Sequence, residues 1–424
     1  MRNVVITGVG IASPFGLGWN AWTQGLRTGQ SATRRISLFD PSCPYPASSG
    51  AAASPLACQV AAEVPDFEPR DWMEPKELAR VPRVVPVALC AASQALQSAG
   101  LTELSPEQKR KVGVVIGSGG GGFSYAEANF ARWFGAADGT ISPYAISSAI
   151  AGMVSSEISI AHGLRGRSHT VSDGCTSASD AFGYALDLIR SGREETLLCG
   201  GADAPITPGT LAAFALMRAV PTSYNDAPEK ASRPFDKGRE GFVLGEGAWL
   251  FVLESEESAR ARGAKIWAEI AGYGATCEAY HRVALSEPDE AARAMKMALD
   301  DAKIAPEAVD YVNLHGTGTA LNDPLETAAI KIVLGNRAHT TPMSGTKSQI
   351  GHPQGASGAA GLAAALAALQ EGFIAPTINL ENSDELCDLD YVPNASRAAN
   401  VDVALCNCLG FGSKNAALVL KRAS

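Results

Sequence analysis

The sequence predicts an α/β fold made of two similar halves, in which buried sheets are covered by layers of helices. Short apolar strands alternate with segments of helical periodicity in residues 1–255, and the same alternation returns in residues 256–424. The chain of 424 residues is long enough to bury a large core, and 46% of its residues are hydrophobic. We therefore predict a duplicated, layered architecture that divides near residue 255.

The first half is predicted to contain buried strands that end in glycine or in a turn. The strands cover residues 4–7, 112–117, 197–202 and 249–253, and the helices cover residues 19–26, 86–99 and 255–262. A further helix is predicted to open at Ile141 and to continue to Ile160, because a proline stands at its first turn. Residues 37–70 are rich in Pro, Ser and Ala and are predicted to form a surface excursion.

The second half repeats this alternation. Strands are predicted at residues 266–270, 309–314, 342–346, 403–406 and 416–420, and helices at residues 291–302, 323–334 and 356–370. The last two strands flank a turn, Gly410-Phe-Gly-Ser-Lys414, and are predicted to close the sheet.

Charge, cysteine usage and hydropathy exclude several classes of function. The net charge of −9 argues against nucleic-acid binding as the main role. The nine cysteines show neither zinc-ligand spacing nor a disulfide framework, so we expect no metal site and a reducing cytoplasm. The first residues run straight into a strand, and no apolar run reaches the length of a membrane span.

Two glycine-rich segments follow strands but do not match nucleotide-binding patterns. Gly8-Val-Gly10 lacks a third glycine at the required spacing, and the four glycines at residues 119–122 are not followed by Lys-Ser/Thr. We expect close approach of the backbone to another surface or to a ligand at these positions.

Cys175 lies where a strand turns into a helix. Thr170 and Val171 end an extended segment, Asp173-Gly174 is typical of a tight turn, and helical periodicity follows Cys175. Backbone N–H groups and the positive end of the helix dipole then face the sulfur, and both favour the nucleophilic thiolate. A small buried cysteine is the alternative interpretation of this residue on its own.

Two histidines stand near strand ends in glycine-rich contexts, and they favour a nucleophilic Cys175 over a merely buried one. His315 follows a predicted strand, and His352 precedes a predicted helix. Strand exits are where α/β folds place their ligand sites. A Cys-His-His set suits acyl transfer: the thiolate accepts an acyl group from a thioester, and the imidazoles polarise the carbonyl of a malonyl thioester as it loses CO₂.

Further groups could support this chemistry. The Gly410-Phe-Gly-Ser turn and Cys175 could each supply a backbone N–H to an oxyanion. Lys347 could supply a positive charge with which Glu326 pairs, although a surface lysine and a carboxylate on a helix face are the alternatives.

With these motifs in order, the chain resembles the β-ketoacyl synthases of the thiolase superfamily over essentially its whole length. The matching segments are Gly174-Cys-Thr-Ser177, Asn225-Asp-Ala-Pro228, Ser232-Arg-Pro-Phe-Asp236, Gly241-Phe-Val-Leu-Gly-Glu-Gly247, Ala279-Tyr-His281, His315-Gly-Thr-Gly-Thr319, Lys347-Ser-Gln-Ile-Gly-His352 and Gly410-Phe-Gly412.

The resemblance implies a five-layer αβαβα fold, a dimer and a set of roles. Residues 1–255 would carry the acylated nucleophile Cys175, and residues 256–424 would carry His315 and His352 with the accompanying pair Lys347 and Glu326. The remaining implied contacts are hydrogen bonds to the phosphopantetheine arm of an acyl carrier protein and an aromatic gate beside the cysteine; the residues are Thr317, Thr319 and Phe411.

Within the family, the motifs favour the ketosynthase α subunit of type II polyketide synthases. Asn322-Asp323, Ala204-Pro-Ile-Thr-Pro208 and Ser172-Asp-Gly-Cys175 are similar to that branch, whereas Leu405-Cys-Asn-Cys-Leu-Gly-Phe-Gly412 is similar to the fatty-acid branch. Cys175 argues against the related chain-length factor, which lacks this nucleophile.

Small residues at expected pocket positions and a change in the loop beside them point to an altered substrate. Gly120 and Ala145 stand where the family usually carries bulky apolar residues near the acyl pocket or the dimer seam, and the smaller residues would open the pocket for a long polyketide chain. Gly412-Ser-Lys414 departs from the common Gly-Gly-Thr, which would change the gating loop.

We therefore predict a condensing enzyme that extends an acyl chain by decarboxylative Claisen condensation with malonyl-acyl carrier protein. The alternatives are the 3-oxoacyl-[acyl-carrier-protein] synthase II of fatty-acid elongation and a non-catalytic subunit that shapes a partner's pocket. We expect no cofactor beyond the carrier's phosphopantetheine, a heterodimer with a chain-length-factor-like subunit or a homodimer, and a basic docking patch for the carrier at Lys76, Arg80 and Arg83, unless that patch is only a solvated face.

Overall fold

The computed structural model describes residues 2–45, 53–135 and 139–423. Within these residues the strands are β1 (Val4–Ser13), β2 (Gly16–Leu17), β3 (Arg34–Arg35), β4 (Val60–Ala62), β5 (Val112–Gly117), β6 (Ser168–Val171), β7 (Thr196–Asp203), β8 (Leu244–Gly245), β9 (Gly247–Ser255), β10 (Ala268–Cys277), β11 (Tyr311–Asn313), β12 (Met343–Ser344), β13 (Phe373–Ile374), β14 (Arg397–Ala398), β15 (Val403–Gly410) and β16 (Lys414–Lys421). The α-helices are α1 (Gly18–Thr28), α2 (Pro75–Leu78), α3 (Val84–Ser98), α4 (Pro106–Lys109), α5 (Phe123–Gly135), α6 (Met153–His162), α7 (Ser177–Arg190), α8 (Pro208–Leu216), α9 (Glu256–Ala261), α10 (Pro288–Ala302), α11 (Asn322–Leu334), α12 (Lys347–Ile350) and α13 (Ser357–Glu371).

Two sets of five strands share one topology. The first set runs in the order β1-β9-β7-β5-β6 and the second in the order β10-β16-β15-β11-β12. In both sets the last three strands are parallel and the others pair antiparallel. A short antiparallel pairing of β1 with β10 joins the two sets at their edges. This symmetry explains why the pattern of strands and helices repeats along the sequence, while the division at residue 255 remains a prediction.

Helices cover both sets of strands and also separate them. Helices α3 and α6 pack on the outer side of the first set, and α10 packs with α11 on the outer side of the second. The Ala-rich α13 and helix α7 lie between the two sets, where their apolar residues form the largest core. The result is the predicted five-layer αβαβα architecture.

Glycines in β1 allow a helix to lie directly on the strand. A Cβ atom on Gly8 would stand 2.2 Å from the carbonyl oxygen of Ala95, and one on Gly10 would stand 1.9 Å from that of Ala91. Both carbonyls belong to α3. The strand predicted to end at residue 7 therefore continues to Ser13, and its glycines serve helix packing.

Two predicted segments differ from the structure. Within 37–70, residues 46–52 lie outside the described residues, but Val60–Ala62 form the buried strand β4 between β3 and β8, so the segment is not wholly a surface excursion. The helix predicted from Ile141 begins only at Met153. Tertiary contacts hold the preceding residues in turns, since the Ser148 hydroxyl donates to the carbonyl oxygen of Arg80 at 2.5 Å.

None of the helices in the described part of the chain combines the length and hydropathy needed to span a bilayer.

Candidate active site

Cys175 lies in a single turn of 3-10 helix between β6 and α7, as predicted. Gly174 opens the turn with a φ of +63°, a conformation that favours glycine. The Ser177 hydroxyl closes it by donating to the carbonyl oxygen of Gly174 at 2.6 Å and accepting the N–H of Asp173 at 2.8 Å. The side chain of Cys175 is buried at the start of the central helix.

Opposing effects set the protonation state of this thiol. Burial raises the pKa of Cys175 to about 11, while the Lys347 charge and the backbone N–H groups of Phe411 and Cys175 itself lower it. The N–H groups thus act in the direction predicted from the sequence, but burial outweighs them. The two N–H groups at the sulfur belong to Cys175 and to the Gly410–Ser413 turn, the two places where the sequence predicts oxyanion donors.

His352 presents an N–H to the cysteine. Its Nε2 lies 3.3 Å from the Cys175 sulfur. Its Nδ1 accepts the backbone N–H of Gln354 at 3.0 Å and lies 3.0 Å from the Ser357 hydroxyl. Because a backbone N–H can only donate, Nδ1 carries no proton in the neutral ring, and the proton resides on Nε2 facing the sulfur.

His315 also presents an N–H to the site, but its ring is held by the charged side chain of Lys347. The Lys347 ammonium donates to the carbonyl oxygen of His315 at 2.6 Å and lies 3.3 Å from its Nδ1. Since an ammonium has no acceptor, Nδ1 accepts and Nε2 carries the proton. Burial and the Lys347 charge hold the pKa of both His315 and His352 well below the usual value, so both rings are neutral donors.

The Cys175, His315 and His352 side chains converge closely enough to raise the question of a metal. One ligand atom from each lies within 4.8 Å of the others. A metal-binding histidine usually donates its second ring N–H to an acceptor. Here the second nitrogen of His352 faces a backbone N–H and that of His315 faces an ammonium. The set therefore suits two N–H donors around a thioester rather than a metal.

Glu326 supports the backbone of His315 instead of pairing directly with Lys347. Its buried carboxylate accepts the N–H of His315 at 2.6 Å, the N–H of Gly316 at 2.8 Å and the amide of Asn407 at 3.0 Å. The ion pairs of the described residues include none between Glu326 and Lys347, which corrects the predicted pairing. Burial lowers the pKa of Lys347, and the negative charge of Glu326 raises it in part.

Two cavities lie beside the turn that carries Cys175. One has a volume of about 330 Å³ and reaches Cys175, His315 and His352; we call it the threonine cavity after Thr317 and Thr319, whose hydroxyl oxygens lie 3.0 Å apart in its wall.

The other, which we call the glycine cavity, also measures about 330 Å³. It is lined by Gly119, Gly120, Gly121, Gly174, Thr207, Phe214 and Gln354. Gln354 lines both cavities. The rings of Phe214, Phe242 and Phe411 cluster with centroids 5.1–6.5 Å apart, so Phe411 lies where the aromatic gate was predicted.

The predicted pocket residues fall into different places. Gly120 lines the glycine cavity. Ala145 is buried and lines neither cavity, so its predicted role in widening the pocket is not supported. Gly412 is exposed with a φ of +87° and donates its N–H to the carbonyl oxygen of Arg282 at 2.9 Å, which places it on the outer side of the Phe411 loop.

The predicted docking patch is not a free cluster of cations. Lys76 is exposed on α2, and Arg80 forms a 2.9 Å ion pair with Glu77. Arg83 donates to both carboxylate oxygens of the fully buried Glu246 at 2.8 and 2.7 Å. Arg83 is therefore a structural residue and is removed from the patch, because its guanidinium compensates a buried charge.

Sequence reasoning missed two buried groups beside the site. Asp203 ends β7 and accepts the N–H groups of Gly119 at 2.8 Å, Gly120 at 3.1 Å and Gly355 at 2.9 Å, and burial raises its pKa to about 6. It thereby links the glycine cavity to the loop after His352. Cys408 lies 3.1 Å from the carbonyl oxygen of Cys175. A carboxylate at a strand end could have been noticed, whereas nothing in the sequence distinguishes Cys408 from its neighbour Cys406.

Comparison with known proteins agrees with the geometry of the site. The N-terminal domain model of the β-ketoacyl synthases matches residues 1–259, and the C-terminal domain model matches residues 267–381. The chain is 42% identical to a 3-oxoacyl-[acyl-carrier-protein] synthase 2 of Synechocystis, covering 99% of this chain and 98% of the relative. It is 41% identical to the actinorhodin polyketide putative β-ketoacyl synthase 1 of Streptomyces coelicolor, covering 100% of this chain and 89% of the relative.

Solved structures extend this likeness to the whole fold. The ishigamide ketosynthase/chain length factor superimposes with a TM-score of 0.89 at 36% identity, over 100% of both chains. A type II polyketide ketosynthase in complex with its acyl-carrier protein, AntDE:AntF, gives a TM-score of 0.88 at 30% identity, again over 100% of both chains. With its buried Cys-His-His site and five-layer fold, the chain belongs to the β-ketoacyl synthase family of condensing enzymes.

Proposed function

We propose that the chain is the ketosynthase α subunit of a type II polyketide synthase, which extends an acyl chain with malonyl units carried by an acyl carrier protein. The observation that carries this proposal is the position of Cys175, which lies under two backbone N–H groups and beside two histidine N–H donors, in the wall of the threonine cavity and next to Gly174 of the glycine cavity. The phosphopantetheine arm would occupy the threonine cavity beside Thr317 and Thr319, and the acyl chain would occupy the glycine cavity.

In the first step, the sulfur of Cys175 attacks the thioester carbonyl of the acyl carrier protein. The N–H groups of Cys175 and Phe411 receive the negative charge that develops on the carbonyl oxygen. The new C–S bond forms as the bond to the pantetheine sulfur breaks, and the proton lost by Cys175 goes to the departing thiolate. His352 cannot serve as base here, because its Nε2 already carries a proton.

In the second step, the malonyl thioester binds with its carbonyl oxygen between His315 and His352. The carboxylate leaves as CO₂, and the electron pair of the broken C–C bond moves into an enolate whose oxygen accepts both Nε2–H groups. The enolate carbon then attacks the acyl-cysteine carbonyl, a C–C bond forms as the C–S bond to Cys175 breaks, and the departing thiolate takes a proton from water. This chemistry requires no cofactor other than the carrier's phosphopantetheine.

The first experiment supplies the purified chain, alone and together with its homologous chromosomal neighbour, with acyl and malonyl carrier proteins and follows the condensed product. Cys175→Ala is expected to abolish condensation, and Cys199→Ala provides the control because it removes another fully buried thiol, in the interior of β7. Iodoacetamide should label Cys175 and block the reaction. Condensation that persists in Cys175→Ala would refute the mechanism, and an inert Cys175 in an inactive chain would favour the non-catalytic subunit.

A partner subunit is part of the proposal, because one edge of the molecule is open. Strand β6 pairs only with β5 among the described strands. Large apolar side chains are exposed in the segment from α5 to α6, and α6 packs beside β6: Phe134, Ile146, Ile150 and Ile160 are 60–81% exposed. An open strand edge with such a surface favours coverage by a homologous chain.

The mass of the assembly separates the polyketide proposal from its alternative. A chain that condenses only in a 1:1 dimer with a homologous, cysteine-lacking chromosomal neighbour supports the α-subunit function. An active homodimer supports fatty-acid elongation, which the Leu405–Gly412 motif and the Synechocystis relative favour. We also place the chain in the cytoplasm, since its nine cysteines are free thiols.

Carrier docking at the remaining basic residues is tested separately. The double substitution Lys76→Glu and Arg80→Glu should raise the KM for carrier protein while leaving kcat unchanged, because these side chains lie outside both cavities. An unchanged KM would remove these two residues from the docking surface.

A further inference from the structure

Cys408 lies inside the active site, although it is not the nucleophile. It belongs to β15, is buried, and places its sulfur 3.1 Å from the carbonyl oxygen of Cys175 and 3.7 Å from Nδ1 of His315. Cys406 lies two residues earlier on the same face of the strand, but its sulfur is 3.9 Å from the carbonyl oxygen of Gly361 in α13. The two thiols are thus matched in burial and differ in what they contact.

A thiol has one proton to donate, and the distances indicate where it goes. The carbonyl oxygen of Cys175 is the nearer acceptor, while Nδ1 of His315 already faces the Lys347 ammonium at 3.3 Å. Burial raises the pKa of Cys408, so the thiol keeps its proton and remains a donor. Its sulfur then packs beside the ring of His315.

We propose that Cys408 is a positioning residue, whose S–H bond holds the turn of Cys175 while its sulfur holds the ring of His315. The carbonyl oxygen and the N–H of Cys175 belong to the same short turn, so a fixed carbonyl keeps the N–H aimed at the sulfur. Loss of that bond loosens the N–H of Cys175, one of the two N–H donors that lower the pKa of its thiol. The roles in acyl transfer and decarboxylation rest on the proposed function, whereas the effect on the reactivity of Cys175 does not.

The experiment compares Cys408→Ala, Cys408→Val and Cys408→Ser with the control Cys406→Ala. Iodoacetamide labelling of Cys175 is followed by peptide mass spectrometry across a pH series, and melting temperatures report on folding. In Cys408→Ala and Cys408→Val we expect the apparent pKa of Cys175 to rise by about one unit, which slows labelling below that pKa about tenfold. Cys408→Ser keeps a donor and should retain the wild-type pH profile, as should Cys406→Ala.

Two results would overturn the proposal. The first is a pH profile of Cys175 labelling in Cys408→Ala or Cys408→Val that matches that of Cys406→Ala. The second is a profile in Cys408→Ser that shifts as far as those of the apolar variants. If neither apolar variant folds, Cys408→Ser keeps the proposal falsifiable, because a shifted profile in that variant refutes the donor role.

The same variants separate this proposal from the proposed function. Acyl transfer and malonyl decarboxylation should slow in Cys408→Ala and recover in Cys408→Ser. A wild-type protein that labels normally but never condenses would refute the proposed function and leave the labelling result to stand for Cys408.

Discussion

The two histidines make the same kind of donor by different means. The tautomer of His352 is fixed by two neutral partners, the backbone N–H of Gln354 and the hydroxyl of Ser357. That of His315 is fixed by the ammonium of Lys347, and its backbone is held by the carboxylate of Glu326. The comparison teaches that the tautomer of one donor is fixed by neutral groups of the fold, whereas that of the other depends on two buried charged groups.

The largest effects should come from removing the rings themselves. His315→Ala and His352→Ala should each slow malonyl decarboxylation by about 10²–10³, the usual loss when one donor to a developing oxyanion is removed. Only His352 contacts the Cys175 sulfur, at 3.3 Å, so only His352→Ala should also change the rate of Cys175 acylation. Separate measurements of acyl-enzyme formation and CO₂ release test this difference. Equal effects of both variants on acylation would contradict the assigned asymmetry.

Removal of the Lys347 charge should act mainly through His315, although the same charge also lowers the pKa of His352 and of Cys175. Lys347→Met deprives Nδ1 of His315 of its donor, so we expect decarboxylation to fall by about 10²-fold, as for other displaced catalytic groups. Burial lowers the pKa of Lys347, and wild-type decarboxylation should therefore decline as pH rises through that lowered pKa and the ammonium loses its proton. This decline should be absent in Lys347→Met. A pH profile that is the same in both proteins would show that the charge does not act through His315.

The sequence predicted the groups that follow local patterns and missed those that depend on distant contacts. The turn at Cys175 and the positions of His315 and His352 at strand ends follow from short motifs, and the structure brings all three together. Arg83 could not be recognised as structural, because its partner Glu246 lies 163 residues away along the chain.

The same limit applies to Glu326 and Ala145. The motif around Glu326 indicates a carboxylate near the site, but whether it meets an ammonium or two backbone N–H groups depends on how β11 and α11 are packed. The sequence shows that position 145 carries a small side chain, but it could not show that this residue lies away from both cavities.

Replacement of Glu326, whose carboxylate holds the backbone of His315, should have an intermediate effect on decarboxylation. Its two oxygens accept the N–H groups of His315 and Gly316 at 2.6 and 2.8 Å, and Glu326→Gln would turn an amide NH₂ toward one of them. We expect a loss of about 1–3 kcal/mol in the free energy of unfolding, the cost of an unsatisfied buried group, together with slower decarboxylation. Denaturant unfolding and CO₂ release measure the two effects. Unchanged decarboxylation in a folded Glu326→Gln protein would mean that His315 does not need this support.

The smallest effect on decarboxylation should come from the neutral partners of His352. Ser357→Ala removes the hydroxyl that lies 3.0 Å from Nδ1 of His352, but the N–H of Gln354 remains at the same distance and still prevents protonation of that nitrogen. Because one neutral donor is enough to fix the tautomer, decarboxylation should fall no more than about tenfold, the equivalent of one modest hydrogen bond. The pH profile should match that of the wild type, in contrast to Lys347→Met. A loss of decarboxylation as large as that of His352→Ala would show that the Ser357 hydroxyl, rather than the backbone, holds the ring of His352. The ring of each histidine would then be fixed by one side chain, Ser357 for His352 and Lys347 for His315.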